Sequence, residues 1–77
     1  MKEELTDREI EKAIREYYPE AIKPPSKREV WAVRELMDRL GQDSSPEAWG
    51  EAKWWAVHAV HLTSGLVEVA DRLVKKS

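Results

Sequence analysis

Apolar residues recur through the last third of this chain at intervals that alternate between four and three positions. The members of this apolar seam are Ala48, Ala52, Trp55, Ala59, Leu62, Leu66, Val69 and Leu73. Such spacing keeps every member on one face of an α-helix, and it is the pattern of a helix that packs against other helices. Because the phase runs through Thr63, Ser64 and Gly65 without a reset, we predict one helix over residues 46–75. A break near Gly65 is the alternative, and it would give four helices.

Capping sequences mark the start of a helix at three places. Thr6 and Ser26 each stand three residues before a glutamate, which is the capping-box spacing. Ser45 is followed by a proline, which suits a serine cap with proline at the first helical position. Pro19 ends the first helix because it disfavours the helical conformation of the residue before it. Gly41 suits the position that follows the end of the second helix.

The predicted fold is therefore all-α. It is a three-helix bundle in which two short helices pack on one long C-terminal helix, in a single domain of residues 1–77. At about 1.5 Å per residue, the last helix would be roughly 45 Å long and the second roughly 21 Å. Either the first two helices follow one another along the seam, or a second chain covers its far half. Ile22, between the first two helices, is expected to insert into the core.

The last helix also carries large side chains on the side away from the apolar seam. At about 100° per residue, these are Trp54, Val57, His58 and His61. Trp31 falls on the outer side of the second helix, and Lys53 flanks the group. A small domain rarely leaves tryptophan in water without a use for it. Either the first helix packs over these residues, or they form a surface that binds a partner, since Trp is enriched at the energetic centres of interfaces.

These observations predict a non-enzymatic helical module that binds another protein or its own copy as a homodimer. The residues expected to make the contact are Trp54, Val57, His58, His61, Trp31 and Lys53. Because well-formed caps at every helix start are also what a designer imposes, an engineered binder or scaffold falls within this prediction. The alternative is a bundle that binds a metal or a small ligand through His58 and His61. Two histidines alone do not hold a metal, so no metal site and no cofactor are predicted.

Composition and motifs argue against several other classes. The chain has 36% charged residues and a net charge of −2, which is not the basic footprint of a nucleic-acid-binding domain. No apolar run approaches the roughly 18 residues needed to span a membrane, so no membrane partner is expected. With no cysteine, the chain has neither a disulfide nor a thiolate metal site. No phosphate loop, nucleophile elbow or triad geometry is visible, so we predict no enzymatic activity. For a natural protein of this kind, the expected location is the cytoplasm.

Two short stretches resemble parts of the acyl-CoA-binding proteins, which are four-helix bundles. They are Lys23-Pro24-Pro25-Ser26 and Gly50-Glu51-Ala52-Lys53-Trp54. That family holds the coenzyme with a tyrosine and a lysine on its second helix, where this chain has Arg34 and Asp38. The interval to Lys53 is also shorter here. Since only Lys53 of the ligand-binding set is retained, the resemblance leads to no prediction of coenzyme A binding.

Overall fold

Four helices make up the chain in the computed structural model, which describes residues 5–76. They are α1 (Asp7–Tyr17), α2 (Lys27–Gln42), α3 (Pro46–Trp54), which continues into a π-helical turn (Trp55–Ala59), and α4 (Gly65–Lys76). Within residues 5–76 there is no strand. The all-α prediction is confirmed.

The predicted capping boxes are present at the first two helices. The Thr6 hydroxyl accepts a hydrogen bond from the backbone N–H of Glu9, at 3.2 Å, and the Glu9 carboxylate accepts from the N–H of Thr6, at 3.1 Å. Ser26 and Glu29 make the same reciprocal pair, at 3.2 Å in each direction. Each box satisfies two backbone donors that the first turn of a helix leaves without partners. These two starts were therefore predictable from four residues of local sequence.

The prediction of one continuous helix over residues 46–75 is wrong, and the four-helix alternative is what the chain adopts. After α3 the helix widens into the π-helical turn, in which the Val60 N–H bonds to the Trp55 carbonyl at 3.1 Å. His61 then takes a left-handed conformation with φ 57°, and the Leu62 N–H returns to the Ala56 carbonyl at 2.7 Å. Helical backbone therefore stops after Ala59 and resumes only at Gly65.

The helical restart explains why the break was missed. Thr63 accepts from the N–H of Gly65 through its hydroxyl, at 3.3 Å, and from the N–H of Leu66 through its carbonyl, at 3.3 Å. Leu62 lies in the connection and still packs against the core, so the apolar spacing continues where the helix does not. Ala59, by contrast, is exposed. The apolar seam is thus a composite of two helices and a loop residue.

The core lies between α2 and α4. These two helices share the most extensive contact in the molecule, and α1 packs against both, while α3 packs against α2 and α4. The two short helices therefore do not lie along one long helix, and α4 instead folds back beside α2. The buried side chains that close this contact are Val30, Val33, Leu36, Leu40, Leu66, Val67, Val69 and Leu73.

The end of α1 meets the start of α4 through a pair of tyrosines. Tyr17 donates a hydrogen bond to the Glu68 carboxylate, and the Tyr18 hydroxyl lies 3.2 Å from the Thr63 hydroxyl. Gly65 makes the approach feasible, because a Cβ on it would overlap the Tyr18 hydroxyl and crowd both rings. This contact fixes the direction in which α4 leaves the loop.

Ile22 does not insert into the core as predicted, and its side chain is 98% exposed. The space at this end of the molecule is filled by Tyr17 and Tyr18, whose rings pack edge to face with centroids 4.8 Å apart. Because the tyrosines already cover the end of the core, the connector carries Ile22 outward.

Candidate functional site

The orientation of α3 decides which side chains reach solvent. Ser45 caps the helix by accepting from the Ala48 N–H, at 3.2 Å, and Pro46 occupies its first turn. Beyond that turn, α3 and the π-helical turn are held to the core through Ala52 and Ala56, which are buried. The opposite side of the same helix therefore faces away from the protein.

Four large side chains occupy that outward side and its end, and we call them the Trp–His surface: Trp54, Val57, His58 and His61. Trp54 is 62% exposed and Val57 is 40% exposed. Both histidines are also exposed. The Trp54 and His58 rings lie one turn apart with centroids 5.5 Å apart and planes at 35°. The indole is therefore ordered by a neighbour on its own helix while most of its surface remains in water.

The first helix does not cover the Trp–His surface. Its main packing partners are α4 and α2, and all four side chains of the Trp–His surface are exposed. Of the two interpretations that the sequence left open, packing by α1 is excluded by this arrangement. Burial within the chain therefore does not account for Trp54.

The two other residues expected at the interface lie beside the Trp–His surface and contact different rings. Trp31 is 46% exposed and packs on Trp55 with centroids 5.6 Å apart. Lys53 places its ammonium 5.4 Å from the centre of the Trp49 ring. Trp55 thus extends the exposed aromatic area from α3 towards α2, whereas Lys53 turns to the other flank.

Sequence analysis missed the part that Trp55 and Arg39 play here. Trp55 belongs to the apolar seam by spacing, yet it is only half-buried. Its ring lies under the Arg39 guanidinium, 5.0 Å from the ring centre, and beside Trp31. Trp31 and Arg39 stand two helical turns apart on the outer side of α2. That spacing is the signal that could have identified them as a pair that receives an aromatic ring between them.

The Trp–His surface ends in two unfavourable backbone features. π-helical turns are rare in proteins as a whole, but those that do occur are often found at functional sites. His61 has φ 57°, a conformation that costs a non-glycine residue roughly 1–2 kcal/mol. Glycine is the usual residue at such a helix end. Two features that reduce stability therefore coincide with the exposed aromatic and imidazole groups.

The histidines do not assemble a metal site within one chain. No group of three or more possible ligands from His, Asp and Glu comes together among residues 5–76. Glu68, on α4, accepts the hydrogen bond that the Tyr17 hydroxyl donates.

A groove of about 850 Å³ lies at the C-terminal end of α1, between the tyrosine pair and the connector to α2. Tyr17, Tyr18, Pro24 and Pro25 contribute to its walls, and neither histidine does. The hydrogen bond that Tyr17 donates to Glu68 raises the pKa of the phenol above its ordinary value, and partial burial adds to the shift. The groove is lined by phenol and proline rings together with charged side chains, which are Arg15, Glu20, Lys23 and Glu29.

In comparisons with known proteins, no family model, curated protein or solved structure matches this chain. Among residues 5–76, none of the helices combines the length and the apolar character that crossing a bilayer requires. The case for a function therefore depends on the geometry of the exposed side chains.

Proposed function

We propose that this protein is a non-enzymatic binding module that uses the Trp–His surface, flanked by Trp31, to contact a protein. The observation that carries the proposal is the 62% exposure of Trp54 on a helix whose opposite side is anchored in the core. A Trp anchor supplies a large contact area with few rotatable bonds, so little entropy is lost when it is ordered. The surrounding polar groups would form the rim that keeps water from the anchor.

The position of the anchor on a helix supports the same function. Trp54 lies on a helix rather than a loop, and its ring contacts that of His58 one turn further along, which restricts the rotamers it can adopt in the free protein. A surface that is ordered before binding loses less conformational entropy when the partner arrives. Trp31, which is 46% exposed, packs on Trp55 and supplies a second aromatic contact for a partner.

The proposal separates the effect of Trp54 on binding from its effect on stability. Trp54→Ala should change the free energy of unfolding by less than about 0.5 kcal/mol, because the side chain is largely in water. The same substitution should weaken binding to the protein partner by about 2 kcal/mol or more, roughly thirtyfold in Kd. Thermal unfolding and calorimetric titration measure the two quantities on the same preparations.

Leu36→Ala is the matched control for stability, since Leu36 is fully buried. The Leu36→Ala substitution should lower the free energy of unfolding by about 2–5 kcal/mol. A Trp54→Ala variant with a Tm as low as that of this control would show that Trp54 stabilises the fold as a core residue does, and it would contradict the proposed function.

A further inference from the structure

We propose that the partner of the Trp–His surface is a second copy of this chain, with the outward sides of two α3 helices packed antiparallel about a two-fold axis. This inference rests on the proposed function, since it names the occupant of that same surface. Three features of α3 carry it: an unexplained glycine, the position of that glycine relative to Trp54, and the order of the charges.

Among residues 5–76, no contact accounts for Gly50. It lies in the interior of α3, where glycine lowers helix stability relative to alanine. Nothing lies within 4 Å of the position that a Cβ would take, so no neighbour requires the missing side chain. Glycine in a helix does have a use when another backbone or a large ring approaches closely. We therefore infer that another molecule approaches α3 closely at Gly50.

Gly50 and Trp54 form a hollow and a projection that match each other. They stand one helical turn apart, and both are exposed. A two-fold interface brings the same surface of two copies together, so each contact between unlike residues occurs twice. With two α3 helices antiparallel, the Trp54 indole of each copy lies over the Gly50 hollow of the other. The surface is thus complementary to itself.

The order of polar groups along α3 favours the antiparallel arrangement. Glu47 and Glu51 are exposed in α3, His58 is exposed in the π-helical turn that continues it, and His61 is exposed in the connection that follows. Antiparallel pairing places carboxylate acceptors of one copy near imidazole N–H donors of the other, and it also opposes the two helix dipoles. Parallel pairing would place carboxylate beside carboxylate. The contact of Trp54 with Gly50 and that of Glu47 with His58 are compatible with the same antiparallel register. When Trp54 of one copy lies over Gly50 of the other, Glu47 comes opposite the turn that holds His58.

The contact is expected to be weak. Each copy offers little more than one helical side, so the dimer buries an area near or below about 1,200 Å², the lower end of specific interfaces. The experiment therefore measures mass by sedimentation equilibrium from about 1 µM to about 1 mM. The wild-type chain should pass from monomer to dimer within that range. A monomer at every concentration would overturn the inference.

Gly50→Ala tests the hollow directly. We expect a higher Tm, since alanine favours the helix, together with at least a tenfold weaker dimer, because the added methyl group lifts the partner's indole. Gly41→Ala is the matched control: Gly41 is also helical, exposed and without neighbours within 4 Å. It should raise the Tm and leave the dimer unchanged. Equal effects of the two variants on association would overturn the inference.

Cysteine pairing tests the orientation, and the chain has no cysteine of its own to interfere. Glu47→Cys and His58→Cys are prepared separately and oxidised alone and mixed. The antiparallel dimer should form the mixed disulfide faster than either variant forms a disulfide with itself. Faster pairing of each variant with itself would show a parallel contact and overturn the proposed arrangement.

The failure of this inference is distinguishable from that of the proposed function. If the wild type is a monomer and Trp54→Ala has an unchanged Tm, the dimer is contradicted and the proposed function stands, with a different protein as the partner. If Trp54→Ala has a lower Tm, the proposed function itself is contradicted.

Discussion

At the scale of single residues, Gly65 controls the contact between the end of α1 and the start of α4. Its missing side chain leaves room for the Tyr18 hydroxyl, which lies 3.2 Å from the Thr63 hydroxyl. The sequence indicated a breaker at this position but not the reason for it, because the tyrosine that needs the space lies 47 residues earlier (65 − 18). A close approach between segments that are distant in the sequence produces no pattern among neighbouring residues from which it could be predicted.

Gly65→Ala should therefore destabilise the protein, even though the residue lies at the start of a helix where alanine is normally favourable. The Cβ would displace Tyr18, and overpacking of this kind costs about 1–3 kcal/mol. For a domain of this size we expect the Tm to fall by at least about 4 °C. Scanning calorimetry measures the change, and a Tm at or above that of the wild type would show that Tyr18 moves away without loss.

The Tyr17 hydroxyl links stability to alkaline pH. Its hydrogen bond to Glu68, and then burial, raise the pKa above the ordinary value of 10.0. Because the folded state holds this proton more tightly than the unfolded state, the stabilisation is fully present below pH 10 and is lost as the pH rises through the raised pKa.

Tyr17→Phe should remove that part of the pH dependence. Urea midpoints, followed from neutral pH to above pH 10, should fall more steeply for the wild type than for Tyr17→Phe. Parallel curves for the two proteins would mean that the phenol contributes nothing to the alkaline loss of stability.

At the scale of the elements, the way in which α3 ends is the main departure from the sequence prediction. The starts of α1, α2 and α3 were predictable because a cap and its partner lie within three residues of one another. The end of α3 was not, because the apolar seam stayed in phase through a loop that supplies Leu62 to the core. Periodicity reports which residues are buried, and it does not report whether the backbone between them is helical.

His61→Gly should stabilise the isolated chain. Glycine adopts φ 57° without the steric penalty of a Cβ, so we expect a gain of up to about 1 kcal/mol in the free energy of unfolding. His58→Gly is the control, since it lies in helical backbone and should lose about 1 kcal/mol. Chemical denaturation measures both, and a loss in His61→Gly would show that the imidazole stabilises the turn more than its backbone strain destabilises it.

At the scale of the whole molecule, the chain is a thin body of 34 × 32 × 17 Å between Cα atoms. With so little depth, helices differ sharply in how well they are anchored. The core faces of α2 and α4 are lined with five and six buried residues, whereas α3 and its π-helical turn have one each, Ala52 and Ala56, and otherwise pack on the core through the half-buried Trp49 and Trp55. The helix that displays the Trp–His surface is thus held less firmly by the core than α2 or α4.

Amide hydrogen exchange should reveal this difference. We expect the amides of α3 to exchange through local opening, well before those of Leu36 in α2 and Val69 in α4, which should open only with the whole protein. Measured at low concentration, uniform protection across all four helices would contradict the weak anchoring of α3.

The exposure of the site was more predictable than the fold around it. Helical spacing placed Trp54 and His58 outside the apolar seam, and the spacing holds because both lie before the break, Trp54 in α3 and His58 in the π-helical turn. Trp55 and Trp31 come together across two helices, at a contact that depends on how α3 crosses α2. Local periodicity therefore gave the direction of each side chain, and only the tertiary packing gave its neighbours.

The break at His61 also has a consequence for synthesis. Because α4 lies beside α2, a helix that is translated after α1, α2 and α3 supplies a third of the buried hydrophobic residues of the described chain, five of fifteen. A nascent chain that ends before Gly65 has α1, α2 and α3 but lacks the helix that makes the most extensive contact with α2. Folding on the ribosome must therefore wait for α4, and until then the apolar side of α2 is open to whatever binds nascent chains.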